Sequence, residues 1–226
     1  MIAMIISAVV AAVQGIGGPS EERTADIECV YEYRTSDDKG REDVYSTILQ
    51  VGKRSAKFVD YSTFQLDSAR TSGASEDQVE AFRLREEKKA QYFDYAIFQN
   101  EPAGNMTVYG TIILDRYSYT EDSKAMKWTL ADDEKTICGY QCHKAECEYG
   151  GRKWTAWYSQ DIPVSYGPWK LCGLPGLILA AEDSDGANKF EAIILRNGAS
   201  AITPVSDKNI TTTTREKFVK AKNMFE

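Results

Sequence analysis

The feature that most constrains the fold of this chain is a two-residue alternation of apolar and polar side chains, repeated in short segments between turns. Over residues 27–34, apolar side chains occupy every second position, which is typical of a half-buried strand. Gly150–Gly151 separates two further segments and gives the clearest hairpin signal, and Gly52–Lys53 gives another. The thirteen Tyr, eight Phe and four Trp also favour β-strands, because wide rings pack well on a pleated surface.

These segments predict a mainly β protein of about eight to ten strands. The strands are expected at residues 27–34, 44–51, 56–61, 95–99, 106–115, 126–130, 141–149, 153–159, 177–181 and 190–196. So many short strands in one chain of 226 residues favour a strongly curved antiparallel sheet, half-barrel or bowl-like, with one helical insertion.

The insertion is expected at about 62–91, where the alternation stops. Ser75 with Gln78 three residues later resembles a capping box, and residues 77–89 contain strong helix formers. Apolar positions there are few and charges many, so a solvated surface helix is preferred over a partner-binding one. The predicted organisation is a signal peptide at 1–18, a single β domain at 25–200 that contains the insertion, and a polar C-terminal tail at 201–226.

Residues 1–18 carry no charged side chain, and residues 2–13 form an unbroken run of apolar or small residues. Such a run is shorter than the roughly 20 residues that cross a bilayer. It fits the apolar centre of a secretory signal with Ala11 and Ala12 near the cleavage point. A buried N-terminal strand or helix is the alternative. No later stretch is apolar enough to span a membrane, so we expect an exported protein with no integral membrane segment.

The formal net charge of −7, without a cluster of Lys or Arg, argues against a nucleic-acid partner, because a polyanion would be repelled. The five cysteines suit an oxidising compartment in which disulfides could form. Their odd number leaves at least one thiol free or paired between molecules, and the connectivity stays open.

The single histidine, His143, would have to serve any catalytic triad or Cys–His pair, yet no nucleophile motif accompanies it. With Cys138, Cys142 and Cys147 it forms a spacing that suggests Zn or Cu. On a regular strand, however, His143 and Cys147 point one way and Cys142 the other. We therefore expect no metal, no cofactor and no catalytic residue here. A disulfide or simple core packing is the preferred interpretation.

Residues 154–179 stand out because aromatic and apolar side chains crowd a loop rich in Pro and Gly. Leu174–Pro175–Gly176–Leu177 places Pro and Gly where a type II turn needs them, with a positive φ expected at Gly176. We expect the loop to fold back onto the core and to bind a ligand or partner; the alternative is that it only closes one end of the core. The candidate binding residues are Trp157, Tyr158, Asp161, Pro163, Trp169, Leu174, Pro175, Gly176 and Leu177.

The same segment resembles a known family. Gly173-Leu174-Pro175-Gly176-Leu177-Ile178 matches the signature of the GLPGLI family, and shorter upstream matches keep the family's order: Gly139-Tyr140-Gln141-Cys142, Lys144-Ala145, Gly151-Arg152, Ala156-Trp157-Tyr158, Ile162-Pro163 and Gly167-Pro168. The resemblance covers about 31–195 and is strongest over 136–183, while Cys138 and Cys172 depart from it. It implies export to the periplasm or outer surface of a Gram-negative bacterium. It also implies a bowl-like β domain similar to lipoprotein-carrier half-barrels or to the N-terminal module of some bacterial N-glycanases, and it implies no particular activity.

Three kinds of function are compatible with this sequence. The first, which we expect, is a non-catalytic binding or carrier module of the cell envelope, with an unknown apolar ligand or an envelope protein as its partner. The second is an accessory subunit of an outer-membrane receptor or secretion system that uses a strand edge or the 62–91 insertion. The third is an envelope or glycan hydrolase with Asp161, Glu182 or Asp183 as acid and base.

Overall fold

The structure is a computed structural model that describes residues 23–37, 39–86, 93–205 and 209–225. The signal peptide predicted at 1–18 lies outside these residues. In chain order the strands are β1 (Ile27–Ser36), β2 (Glu42–Val51), β3 (Ala56–Asp60), β4 (Tyr95–Gln99), β5 (Asn105–Ile112), β6 (Asp115–Asp122), β7 (Thr129–Ile137), β8 (Tyr140–Tyr149), β9 (Arg152–Ser159), β10 (Leu177–Asp183), β11 (Asn188–Asn197) and β12 (Ile210–Thr212). The helices are α1 (Tyr61–Thr71), α2 (Glu76–Glu86) and α3 (Arg215–Lys222), and a 3-10 turn covers Ser123–Ala125.

These strands form one sheet in the order β12-β6-β5-β4-β3-β2-β1-β11-β10-β9-β8-β7. Neighbouring strands pair antiparallel, except that β12 pairs parallel with β6. β12 and β7 stay at opposite edges, so the sheet is open, and it is partly curled. The predicted mainly β fold, a curved sheet with a helical insertion, is confirmed.

A single side chain shows how far the sheet curls. The Nε atom of Arg215 lies 3.4 Å from a carboxylate oxygen of Glu121, near one edge of the sheet. Its Nη2 atom lies 3.9 Å from where a Cβ would stand on Gly150, in the β8–β9 hairpin near the other edge. Strands that are far apart in the sheet order therefore meet at α3.

The two faces of the sheet have different covers. The inner face carries the main core, to which Tyr31 of β1 and Trp154 of β9 belong. The outer face carries a smaller cluster that packs under α1, made of Val30, Ile48, Val59, Phe64 and Ala96. Tyr31 and Val30 are adjacent in β1 and point to opposite faces, as the two-residue alternation predicts.

The helices α1 and α2 lie between β3 and β4. The side chain of Asp60 caps α1 by accepting a hydrogen bond of 2.8 Å from the Ser62 amide. The capping box predicted at α2 is formed: the Ser75 amide donates to Gln78 Oε1 over 3.0 Å, and the Gln78 amide donates to Ser75 Oγ over 3.3 Å. No described residue of α2 is buried, as expected for a solvated helix.

Two strand predictions need correction. The strand expected at 106–115 is a hairpin of β5 and β6 joined at Ile113–Leu114, where Ile113 has a φ of 59° although neither residue is a turn former. The strand expected at 126–130 is β7, which begins later and runs to Ile137. Most of its side chains are exposed, so this edge strand lacks the alternation that reveals a half-buried one.

Helix α3 crosses the inner face and is attached by Phe218, which is 1% exposed. The Phe218 ring packs 5.3 Å from the Tyr119 ring and 6.3 Å from the Tyr95 ring, measured between centroids. Gly110 of β5 leaves room for it, because a Cβ there would lie 2.6 Å from Phe218 Cζ. In the described part of the chain, no helix has the length and apolar character needed to cross a membrane.

Candidate ligand-binding site

The aromatic loop between β9 and β10 lies against the inner face of the sheet. Leu174 and Leu177 are fully buried members of the main core. Gln99 of β4 holds the loop backbone, since its Nε2 atom donates to the carbonyl oxygens of Gly167 and Trp169 over 2.7 and 2.8 Å. At these positions the loop forms part of the core, as the alternative interpretation of the sequence expects.

The type II turn predicted at Gly176 is absent, because the φ of this residue lies outside the left-handed region. Gly173 has the positive φ instead, at 94°. Gly176 is required for a different reason: a Cβ at this position would lie 2.1 Å from the carbonyl oxygen of Ser159. Ser159 pairs with Leu177 where β9 meets β10, so close backbone approach explains the glycine. Pro175, beside it, is exposed.

Four other candidate residues do not converge on one place. Tyr158 is buried in the main core, whereas the adjacent Trp157 is half-buried, packs against that core and does not line the cavity described below. The Trp157 ring is covered by Lys135, whose Nζ atom is 4.4 Å from the ring centroid. Asp161 and Pro163 are exposed in the loop.

Of the nine candidates, all of them described, Trp169 is the one that lines the cavity beside α3. Its backbone has a φ of 53°, in the left-handed region, and its side chain packs against the main core. The ring centroid lies 5.5 Å from that of Trp154 and 5.9 Å from that of Tyr149. The Lys170 Nζ atom lies 5.4 Å from the same centroid, within cation–π range.

The cavity has a volume of about 380 Å³ and lies on the inner face beside α3. This volume is within the range of roughly 300–1,000 Å³ that is usual for small-molecule sites. Aromatic rings from distant strands form much of its wall, among them Tyr33, Tyr119, Trp154, Trp169, Phe190 and Phe218. The rings of Tyr33 and Phe190 stack with their centroids 4.3 Å apart and their planes inclined by 10°. The centroid of the Trp154 ring lies 6.4 Å from that of Phe190.

A buried carboxylate fixes the polar side chains of this wall. Asp183, whose side chain is 0% exposed, accepts a bond of 2.7 Å from Arg152 Nη1 and another of 2.7 Å from Asn188 Nδ2. Asn188 Oδ1 in turn accepts from the Tyr33 hydroxyl over 2.7 Å. Burial raises the pKa of Tyr33 to about 12, so the hydroxyl remains a donor at neutral pH. Asp183 therefore orients three residues that line the cavity.

The cavity also has a cationic side, formed by Arg152, Lys170, Arg215 and Lys222. Lys170 is ion-paired with Glu121, and its Nζ donates to the Tyr119 hydroxyl over 2.8 Å. Burial lowers the pKa of Lys170, and the charge of Glu121 opposes that change. The second carboxylate oxygen of Glu121 lies 3.4 Å from Arg215 Nε, so one carboxylate serves two cations.

The three carboxylates of the hydrolase hypothesis are not brought together. Asp183 pairs with Trp154 near the start of β9, whereas Asp161 follows Ser159 at its end. At about 3.3 Å per residue, that stretch of strand measures roughly 16 Å. The carboxyl pair of a glycosidase is roughly 5–10 Å apart. Glu182 is exposed and, next to Asp183 in β10, points to the opposite face.

His143 lies in β8, with its Nδ1 atom 3.3 Å from a Glu134 carboxylate oxygen and its ring 5.9 Å from the Tyr158 ring. Within the described ranges, no group of three or more His, Cys, Asp and Glu side chains is arranged to hold a metal ion. All five cysteines are free thiols, of which Cys138 is exposed and the other four are buried.

Most residues of the cavity wall carry no local sequence signal. Tyr33, Phe190, Arg215 and Phe218 belong to elements far apart in the chain, and none is part of a local motif. One local signal was present: Gly110 interrupts an otherwise alternating strand, and such a glycine often marks the close approach of another group.

Comparisons with known proteins give a fold and a short sequence match. Residues 150–180 match the family described as "Protein of unknown function (Porph_ging)", a stretch that contains β9, the aromatic loop and the start of β10. A search of curated protein sequences found no match. Among solved structures, PNGF-II is similar in two crystal forms, with TM-scores of 0.57 and 0.56 and 15% identity over 88% of this chain. This chain spans about a third of PNGF-II, 32% and 33% in the two forms, and the likeness concerns the fold alone. The LolA superfamily protein NE2245 from Nitrosomonas europaea, 9% identical, aligns with a TM-score of 0.31 over 81% of this chain and 89% of its own.

Proposed function

We propose that this protein is a non-catalytic binding or carrier module whose site is the aromatic cavity beside α3. The observation that carries the proposal is the composition of the wall. Stacked rings supply an apolar surface, and a few oriented polar groups border it, which is the usual make-up of a small-molecule site.

The wall is held in place by contacts within the protein. Asp183 orients Arg152 and Asn188, and Phe218 attaches α3 over the inner face. A site that is already organised loses little side-chain freedom when a ligand binds, and this favours affinity. The expected ligand is therefore a small molecule with an apolar, ring-compatible body.

The proposal includes an exported protein of the cell envelope. The apolar segment at 1–18 and the resemblance to exported GLPGLI proteins support that location. Cell fractionation of the native host tests it: recovery of the chain in the cytoplasmic fraction with residues 1–18 still attached would contradict export.

The ligand site is tested with N-phenyl-1-naphthylamine, a neutral aromatic probe that fluoresces in apolar surroundings. Trp169→Leu removes a ring from the wall, whereas Trp157→Leu removes a half-buried ring of β9 that packs against the core without lining the cavity, and serves as the matched control. We expect Trp169→Leu to weaken probe binding by about tenfold, the loss of one or two kcal/mol of ring contact. Binding that survives Trp169→Leu but not Trp157→Leu, or no binding at all, would contradict the proposal.

Native mass spectrometry of protein recovered from its own host gives the complementary measurement. A folded mass that exceeds the denatured mass by that of a small organic molecule supports the binding function and identifies the ligand class. A mass excess that persists in Trp169→Leu and disappears in Trp157→Leu would place the ligand elsewhere.

A further inference from the structure

We infer that the cavity selects an amphiphile, a small molecule whose apolar body carries one anionic oxygen group, and that Arg215 is the main contact of that group. This inference rests on the proposed function and names its ligand class. The shared chemistry of the group is that of a carboxylate, phosphate or sulfonate.

The charged side chains that the structure describes in the cavity lining are all positive. Among the described residues that line the cavity, four are cationic and none is a carboxylate. Glu121 lies behind the wall and is shared, with one oxygen at Lys170 and the other 3.4 Å from Arg215 Nε. These three groups together carry one net positive charge, which an anionic ligand group would balance.

Arg215 has both the exposure and the free donors that such a contact needs. The Lys170 side chain is only 5% exposed, is ion-paired with Glu121 and donates a hydrogen bond to the Tyr119 hydroxyl. The Arg215 side chain is 44% exposed, and the contact with Glu121 is made at Nε. A guanidinium group has five N–H donors, and its two terminal nitrogens match the paired oxygens of an anion.

Arg152 stands close to the same place. Arg215 Nη2 lies by Gly150, two residues before Arg152, so both guanidinium groups border the cavity near the β8–β9 hairpin. Arg152 is compensated by Asp183 at 2.7 Å and by the exposed Asp185 at 3.8 Å. Arg152 therefore offers the ligand a second guanidinium group beside Arg215, but more of its positive charge is balanced by neighbouring carboxylates.

The position of β9 supplies the apolar half of the site. Arg152 and Trp154 are two residues apart, so their side chains lie on the same face of the strand. The centroid of the Trp154 ring lies 5.5 Å from that of Trp169 and 6.4 Å from that of Phe190, so the three rings form a continuous apolar surface. A ligand that lies along β9 with its anionic group at the two arginines places its apolar body on these rings.

Two fluorescent probes with the same anilinonaphthalene body separate the two parts of the inference. N-phenyl-1-naphthylamine is neutral, and 1-anilinonaphthalene-8-sulfonate carries one sulfonate. Charge-assisted hydrogen bonds predict that the sulfonate probe binds about tenfold more tightly to the wild-type protein at low salt. The difference should shrink as salt is added, because the guanidinium groups are partly exposed.

Arg215→Gln is expected to remove most of the preference for the sulfonate while the affinity for the neutral probe stays within about twofold. Lys220→Gln changes an exposed lysine of the same helix outside the lining and should alter neither affinity. Arg152→Gln should reduce the preference by a smaller factor, with Lys153→Gln, next to it on β9 and exposed, as its control. Thermal unfolding of each variant confirms that the fold is retained.

The outcomes are distinguishable. If both probes bind wild-type protein equally, or if Arg215→Gln leaves the preference intact, the inference about the anionic group is wrong while the proposed function stands. If neither probe binds, the proposed function fails as well. Inorganic phosphate should not displace the sulfonate probe at matched concentration; displacement would reveal a simple anion site and overturn the assignment of an amphiphile.

Discussion

Replacing Gly176 by Ala tests whether close backbone approach, rather than turn geometry, requires a glycine in the aromatic loop. An added Cβ would lie 2.1 Å from the Ser159 carbonyl oxygen, 2.6 Å from the Ser159 carbonyl carbon and 3.0 Å from the Gln160 amide nitrogen. All three are backbone atoms at the end of β9, so no side-chain rotation relieves the contact. The two strands would have to separate where Leu177 pairs with Ser159.

The cost follows from the kind of overlap. Overpacking a closed interior costs about 1–3 kcal/mol, and a clash with backbone belongs at the upper end of that range. In a chain of this size, each kcal/mol lowers Tm by roughly 2–4 °C. We therefore expect Gly176→Ala to lower Tm by about 6–12 °C.

Gly173 provides the matched control. Its φ of 94° strains any side chain, but the nearest atom to an added Cβ is Trp128 Nε1 at 3.8 Å, so space is available. Gly173→Ala should cost about 1–2 kcal/mol through backbone strain alone. Thermal and urea unfolding followed by tryptophan fluorescence measure both variants.

Asn discriminates further between the two explanations, because it tolerates the left-handed region better than Ala does. We expect Gly173→Asn to be milder than Gly173→Ala, and Gly176→Asn to be at least as damaging as Gly176→Ala. A Gly176→Asn variant as stable as the wild type would refute the argument from close approach.

Three further predictions follow from the packing and the titratable groups. Phe218→Ala should lower the free energy of unfolding by about 3–5 kcal/mol, as for other buried Phe side chains, whereas Phe225→Ala, at an exposed position of the same segment, should change it little; equal effects in urea titrations would contradict the attachment of α3 by Phe218. Burial raises the pKa of Tyr33 from 10.0 to about 12, so the stability that the neutral Tyr33 hydroxyl contributes should be complete below pH 10 and lost as the pH rises to about 12. Denaturant titrations across this pH range should show a smaller loss of unfolding free energy in Tyr33→Phe than in the wild type. An equal loss in both proteins would contradict the prediction. An aromatic disulfide reagent should modify the exposed Cys138 before the four buried thiols in the native protein, and all five thiols after unfolding without reductant; fewer than five thiols would reveal a disulfide, and Cys138→Ser should abolish the first phase.

Several elements were predictable because their causes are local. The alternation at 27–34 marks β1, whose neighbours Val30 and Tyr31 face opposite sides of the sheet. Gly150–Gly151 joins β8 to β9, and Ser75 with Gln78 caps α2. In each case the residues that determine the geometry are within a few positions of one another, so one sequence is enough to recognise them.

In the aromatic loop, residues that are distant in sequence determine the geometry. Pro175 and Gly176 suggest a turn when only their neighbours in sequence are considered, but Ser159, seventeen positions earlier, decides why Gly176 must be a glycine. Of the nine residues selected from this region, the structure places Trp169 on the cavity and buries Leu174 and Leu177 in the core. Residue type could not separate these roles, because rings and leucines suit both a core and a binding site.

The sequence by itself thus determined the mainly β class, the helical insertion and the hairpin at Gly150–Gly151. Only the tertiary structure decided where the cavity lies and that Arg215, Glu121 and Arg152 surround it. The physical reason is that sheet curl accumulates over many strand pairs, each of which adds a small twist. The curl brings β6 and the β8–β9 hairpin to the same side chain of α3, and no local pattern of residues carries that sum.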